Sequence, residues 1–128
     1  MRLLVDAHSL IWWMDQDHLL SRSAYDAIAD RQNDLIVSHA TIWEISIKVG
    51  IGKLTLSQPF RPWIDSTLAN LRAAMLPISI EAADVQSSLP HHHNDPFDRM
   101  LIAQTLVESV PIVRRDAVFD HYATQRIW

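Results

Sequence analysis

Five acids stand at the junctions of otherwise apolar segments: Asp6, Glu44, Asp95, Asp98 and Asp116. Carboxylates that converge repel one another, so a fold keeps them close only with a cation or a proton between them. Hard divalent cations such as magnesium take oxygen ligands, few from protein and the rest from water or phosphate. Such a site can activate water and stabilise the charge of a phosphodiester transition state. The chemistry suggested is metal-assisted phosphodiester hydrolysis.

Each acid also has a plainer use. Asp6 suits the N-cap of a helix beginning near Ser9 as well as it suits a ligand role. Glu44 stands four residues before Lys48 in the favourable orientation for a helical ion pair, yet its neighbours Ile42, Trp43, Ile45 and Ile47 are bulky and apolar. Asp95 with Pro96 reads as an N-cap and first helical residue, and Asp98 falls one turn in. Capping is assigned to Asp95 and a ligand role to Asp98. Asp116 alone would cap the short helix that follows it.

The elements that must position these acids are readable as short apolar runs alternating with helical patterns. Leu3–Val5, Asp34–Val37, Leu76–Ile80 and Pro111–Val113 read as strands, with a short end strand over Arg126–Trp128. Helices are expected over Ser9–Met14, from an N-cap at Ser21 to Arg31, from Ser38 to Val49, from Pro59 through Met75, over Glu81–Ser88, from Asp95 onward, and over Ala117–Tyr122. Gly50 is expected in the left-handed position that closes the third of these, and Lys53–Leu56 as a short edge segment. Strands that are apolar runs, with helices between them, predict an α/β domain with a mostly parallel sheet covered on both faces. Ligands bind such sheets beyond the carboxyl ends of the strands. Asp6 and Asp116 would meet there only if the first and fourth strands are neighbours.

The bulk properties narrow the partners. A chain of 128 residues holds one core but hardly two. It contains no cysteine, which excludes disulfides, thiolate zinc sites and cysteine nucleophiles and points to a reducing cytoplasm. No membrane-length apolar run is present, and Asp6 interrupts the first apolar segment too early for a signal peptide. A net charge of −4 lacks the broad positive field of a duplex-DNA binder, so a nucleic-acid role needs a local basic patch or metal ions in an acidic cleft.

In series, Leu3-Leu4-Val5-Asp6-Ala7-His8, Trp43-Glu44-Ile45-Ser46-Ile47-Lys48 with Gly52-Lys53-Leu54, His92-His93-Asn94-Asp95-Pro96-Phe97-Asp98-Arg99-Met100-Leu101-Ile102-Ala103-Gln104, and Ile112-Val113-Arg114-Arg115-Asp116 resemble the successive motifs of PIN-domain proteins. The similarity is greatest to the ribonuclease toxins of bacterial type II toxin–antitoxin pairs, the virulence-associated protein C kind. It covers essentially the whole chain, residues 1–128, as a single PIN domain. The resemblance implies a three-layer α/β/α fold and a magnesium- or manganese-dependent endoribonuclease. It also implies a homodimer, and an antitoxin that blocks the cleft. Its acidic positions carry over as Asp6, Glu44, Asp98 and Asp116, with Asp6 and Asp98 as direct metal ligands and Glu44 and Asp116 holding metal-bound waters or a second ion. Transfer RNA or a ribosomal RNA loop would be the substrate.

Two positions depart from the pattern. Ala7 stands where a hydroxyl residue commonly follows the first acid, and Arg114 where a Thr or Ser usually stands two residues before the fourth. A long cation there could pair with a carboxylate, contact phosphate or reshape the site. These departures sustain a non-catalytic alternative, a PIN fold kept as a dimeric interaction module. A haloacid-dehalogenase-like phosphatase also begins with a strand ending in Asp, but wants a second Asp where this chain has His8. A hydrolytic triad of His8, Ser9 and an acid lacks a nucleophile elbow. Lys48, Arg99 and Arg114 are candidate phosphate contacts, Arg115 a solvated charge, His91–His93 an exposed polar loop open to RNA, and the tryptophans core or interface.

Overall fold

The structure is a computed structural model that describes all 128 residues. Five strands form one all-parallel sheet: β1 (Arg2–Val5), β2 (Asp34–Ser38), β3 (Ala74–Leu76), β4 (Ile112–Val113) and β5 (Arg126–Ile127). Six α-helices lie between them: α1 (Ala7–Asp15), α2 (Arg22–Ala29), α3 (His39–Gly50), α4 (Phe60–Leu71), α5 (Ile80–Ser87) and α6 (Pro96–Glu108). Two 3-10 turns cover Asp17–Leu19 and Ala117–His121. No helix is long and apolar enough to cross a membrane.

The strand order is β3-β2-β1-β4-β5. Central β1 therefore pairs Leu4 with Ile36 on one side and with Ile112 on the other. Alternation within these short strands divides the core in two. Leu3, Val5, Leu35, Val37 and Val113 face one layer with Leu10, Ile45 and Trp63, and Leu4, Ile36 and Ile112 face the other with Leu101, Ile102 and Phe119. Both faces are covered, as the apolar runs require.

Helix starts follow the sequence reading: Ser21, Ser38 and Asp95 accept N-terminal amide hydrogen bonds from Ala24, Ala40 and Asp98. Four details differ. The helix expected through Met75 ends at Leu71, where Arg72 takes left-handed backbone at φ 51°, and Met75 lies in β3. Gly50 stays helical, and the left-handed residue is Gly52 at φ 75°. The Lys53 amide then donates to the Lys48 carbonyl at 2.9 Å and that of Gly52 to Val49 at 3.2 Å, the paired closure of a Schellman motif. β3 ends at Leu76, because Pro77 has no amide to continue the ladder, and Ile78 and Ile80 are left exposed. Lys53–Leu56 forms no strand.

Candidate active site

Neighbouring β1 and β4 bring the ends of the chain together at the carboxyl edge of the sheet, where the strand order changes direction. Asp6 follows β1, its backbone amide donating to the Val113 carbonyl at 3.3 Å. Its Oδ1 caps α1 by accepting from Ser9 N at 2.9 Å, and Ser9 Oγ ties α1 to β4 through the Val113 carbonyl at 3.1 Å. Asp6 thus performs the capping role and still presents Oδ2 to the site. Asp98, in the first turn of α6, is buried beside it.

Arg114 joins these acids. Its Nη1 lies 2.8 Å from Asp98 Oδ1 and 3.2 Å from Asp6 Oδ2, and its Nη2 lies 2.9 Å from Asp98 Oδ2. Nη2 also stands 3.5 Å from Asp116 Oδ2. The guanidinium carbon sits 4.2 Å from the centroid of the Phe119 ring, and the Nε is buried with no partner. Of the fates open to a cation at this position, pairing with the carboxylates is the one realised.

The acids differ electrostatically. Burial pushes the Asp6 carboxyl above the ordinary range, and Arg114 only partly offsets it. Asp116 is half-exposed and caps the following 3-10 turn through the Val118 amide. That hydrogen bond, with Arg114 adding to it, holds its carboxyl below the ordinary range. Glu44 is buried on α3 and paired with Lys48 Nζ at 2.9 Å, so the structure gives it the helical partner and no bond to Asp6 or Asp98. It brings Asp6, Asp98 and Asp116 together, and leaves Glu44 outside their hydrogen-bond network.

Two arrangements were not evident in the sequence. His93 Nε2 is hydrogen-bonded to Asp98 Oδ2, so the histidine loop is not simply an exposed polar segment. Its backbone is pinned by the Tyr122 hydroxyl, which accepts from His93 N at 3.0 Å and donates to the Pro90 carbonyl at 2.8 Å. Arg99 is not free for phosphate. Its five N–H groups are all spent, on Gln86 Oε1 and the carbonyls of Gln86, Leu89, Pro90 and His93, at 2.9–3.3 Å. It is a buried brace for the loop that carries His93. Lys48 is likewise engaged, with Glu44.

Beside the network, and partly walled by it, a cleft of about 420 Å³ is lined by Asp6, His8, Trp12, Arg114, Arg115 and Asp116. Trp12 stands against His8 and Trp128, with ring centroids 5.4 and 5.7 Å apart, and the exposed Arg115 lies over it. Trp63 belongs to the core, whereas Trp43 is 60% exposed.

Residues 3–125 match the PIN domain family. The chain belongs to that family. It is 26% identical over 116 residues to "Ribonuclease VapC22" of Mycobacterium tuberculosis, covering 89% of this chain and 86% of that protein. Among solved structures it resembles the complex "VapBC2 from Rickettsia felis bound to a DNA fragment from their promoter", with a TM-score of 0.74 at 12% identity over the whole of both chains. It also resembles FitAcB from Neisseria gonorrhoeae, with a TM-score of 0.57 at 15% identity over 97% of this chain and 95% of the other. At such identities these two likenesses speak for the PIN fold. Membership in that family removes the haloacid-dehalogenase-like reading, whose second Asp was already missing at His8.

PIN nucleases generally use a divalent metal ion. The donor chemistry here is suitable, since Asp6, Asp98 and Asp116 offer hard oxygens. The arrangement is not. No group of three or more Asp, Glu, His or Cys side chains is placed to hold an ion, and Arg114 takes the inner oxygens of both Asp6 and Asp98. The residues as they stand do not fit the metal.

Proposed function

We propose that this single-domain chain is an endoribonuclease, the toxin of a toxin–antitoxin pair, acting at Asp6, Asp98 and Asp116. The observation that carries the reading is the convergence of these acids at the β1–β4 edge of a PIN fold. The likeness to a protein named a ribonuclease adds to it. RNA, transfer or ribosomal, would lie in the cleft. Arg115 would meet a phosphate and Trp12 would lie against a base, so Arg115 becomes a contact instead of a merely solvated charge. Asp116, ionised and half-exposed, would accept a hydrogen bond from a water or a ribose hydroxyl. Glu44 would act only at a distance, through water.

Magnesium or manganese is the ion that the resemblance implies, with Asp6 and Asp98 as its ligands, but Arg114 occupies both acids here and no step is assigned to a metal. An antitoxin is the expected partner, since the solved neighbours include a VapBC complex. Trp43, Ile47 and Ile51 repeat at four-residue spacing along and just past the exposed face of α3, and would give that partner an apolar surface. A homodimer and a cytoplasmic home complete the proposal.

The second reading, a non-catalytic interaction module, is favoured by one observation, the Arg114 pairing. Expression of the chain alone in a bacterium, beside Asp6→Asn and Asp98→Asn, separates the two. The nuclease reading expects growth arrest and new RNA 5′ ends from the unaltered chain only. Equal growth of all three, with no new ends, would sink it.

A further inference from the structure

We infer that Arg114 is the resident cation of this site and keeps a divalent ion away from Asp6 and Asp98. Position is the first reason. A magnesium ion sits about 2.0–2.1 Å from its oxygen ligands. Bridging Asp98 Oδ1 and Asp6 Oδ2, it would need the space between those atoms. Nη1 already fills that space, 2.8 Å from one and 3.2 Å from the other. Ion and guanidinium cannot share it, and a divalent ion beside a fixed positive charge would be repelled.

The guanidinium is also held from every side. Asp98 binds it through both oxygens, the geometry in which arginine pairs best. Asp6 and Asp116 add a contact each, and the face of Phe119 lies against it. Nothing in this arrangement resembles a surface charge that drifts away at no cost. Only its Nε, buried with no partner, counts against this hold, and the hydrogen bonds of Nη1 and Nη2 outnumber it.

The charges point the same way. Two buried carboxylates at the end of β1 and the start of α6 would repel each other without a cation between them. In this chain the cation is covalently supplied, by the residue after β4. The acidic cluster can therefore fold without metal, and a metal must displace a built-in competitor to enter. This holds whether or not RNA is cleaved at the site.

The test uses the purified full chain and Mn²⁺ alone, with calorimetry for binding and circular dichroism for folding. Wild type is compared with Arg114→Thr and Arg114→Lys. Arg114→Thr is expected to bind Mn²⁺ on the order of 100-fold more tightly than wild type, equivalent to about 2.7 kcal/mol, and to melt higher when Mn²⁺ is added. Arg114→Lys keeps the positive charge and is expected to stay close to wild type. If Arg114→Thr does not fold without metal, recovery of its native spectrum on adding Mn²⁺ supports the inference, and failure to recover overturns it. Equal Mn²⁺ affinity in wild type and Arg114→Thr also overturns it. Because RNA takes no part, failure here is distinct from failure of the nuclease reading.

Discussion

Replacing Arg99 with lysine keeps the charge and removes the fork. The wild-type guanidinium makes five hydrogen bonds to Gln86, Leu89, Pro90 and His93, all from a residue only 5% exposed. Lysine has three donors on one atom, so at least two acceptors lose their partner. A lost bond to a charged group costs roughly 1.5 kcal/mol or more, which sets the expected loss at about 3 kcal/mol. For a chain of 128 residues the unfolding entropy is about 0.27 kcal/mol/K, so the melting temperature should fall by about 11 °C. Urea unfolding followed by circular dichroism measures the free energy directly, and an unchanged slope confirms that the unfolded state is the same. A loss below about 0.5 kcal/mol would refute the brace, because that is the size of an ordinary surface substitution.

Other expectations follow from the same geometry. Asp98→Asn should cost about 3 kcal/mol by urea unfolding, since it breaks the two-point pair and leaves Arg114 buried with weaker partners. Asp6→Asn should be at least as stable as wild type at pH 7: asparagine caps α1 equally well, and the ionised Asp6 bears a burial cost. The sign follows from linkage. A carboxyl whose folded pKa is raised lowers stability above that pKa, so the difference should shrink as pH falls from the raised folded value towards the ordinary 3.8, and be gone below it. Asp116 acts oppositely: its stabilising share is present above 3.8 and is lost as pH falls through its depressed folded value, a loss that Asp116→Asn should lack in acid titrations. Arg72→Gly and Ser109→Gly should each raise stability by up to about 1 kcal/mol in the same urea assay, because both residues hold left-handed backbone at φ 51° and 54°.

Much of the fold was legible because short apolar runs and capping residues are local signals. Leu3–Val5 and Ile112–Val113 announce buried strands, and Asp95-Pro96 announces the start of α6. Gly50 misled because the helix could run one residue further before Gly52 took the turn. β3 was displaced because Pro77 interrupts an apolar run that otherwise looks continuous. Within the site, Asp6, Asp98 and Asp116 were legible as acids at element ends. The roles of the arginines were not. Whether Arg99 meets phosphate or five internal acceptors depends on where α5 ends relative to α6, which no local spacing encodes. Arg114 stood out as a departure from the family pattern, but only the pairing of β1 with β4 shows which acids it joins. His93 carried no usable signal, because its partner is reached by the loop folding back on α6.

The seating of β4 beside β1 also dictates when the site can exist. Asp6 and Arg114 are 108 positions apart, and the strand pair that unites them closes nearly the whole chain into one loop. Such distant pairing is entropically costly and forms late in folding. During synthesis, Asp6 and Asp98 leave the ribosome before their cation does. Until the residues after β4 emerge, the cluster is an unneutralised pair of acids without its sheet edge. Whatever the site binds or does should thus be available only once β4 has docked against β1, and to no partly folded chain.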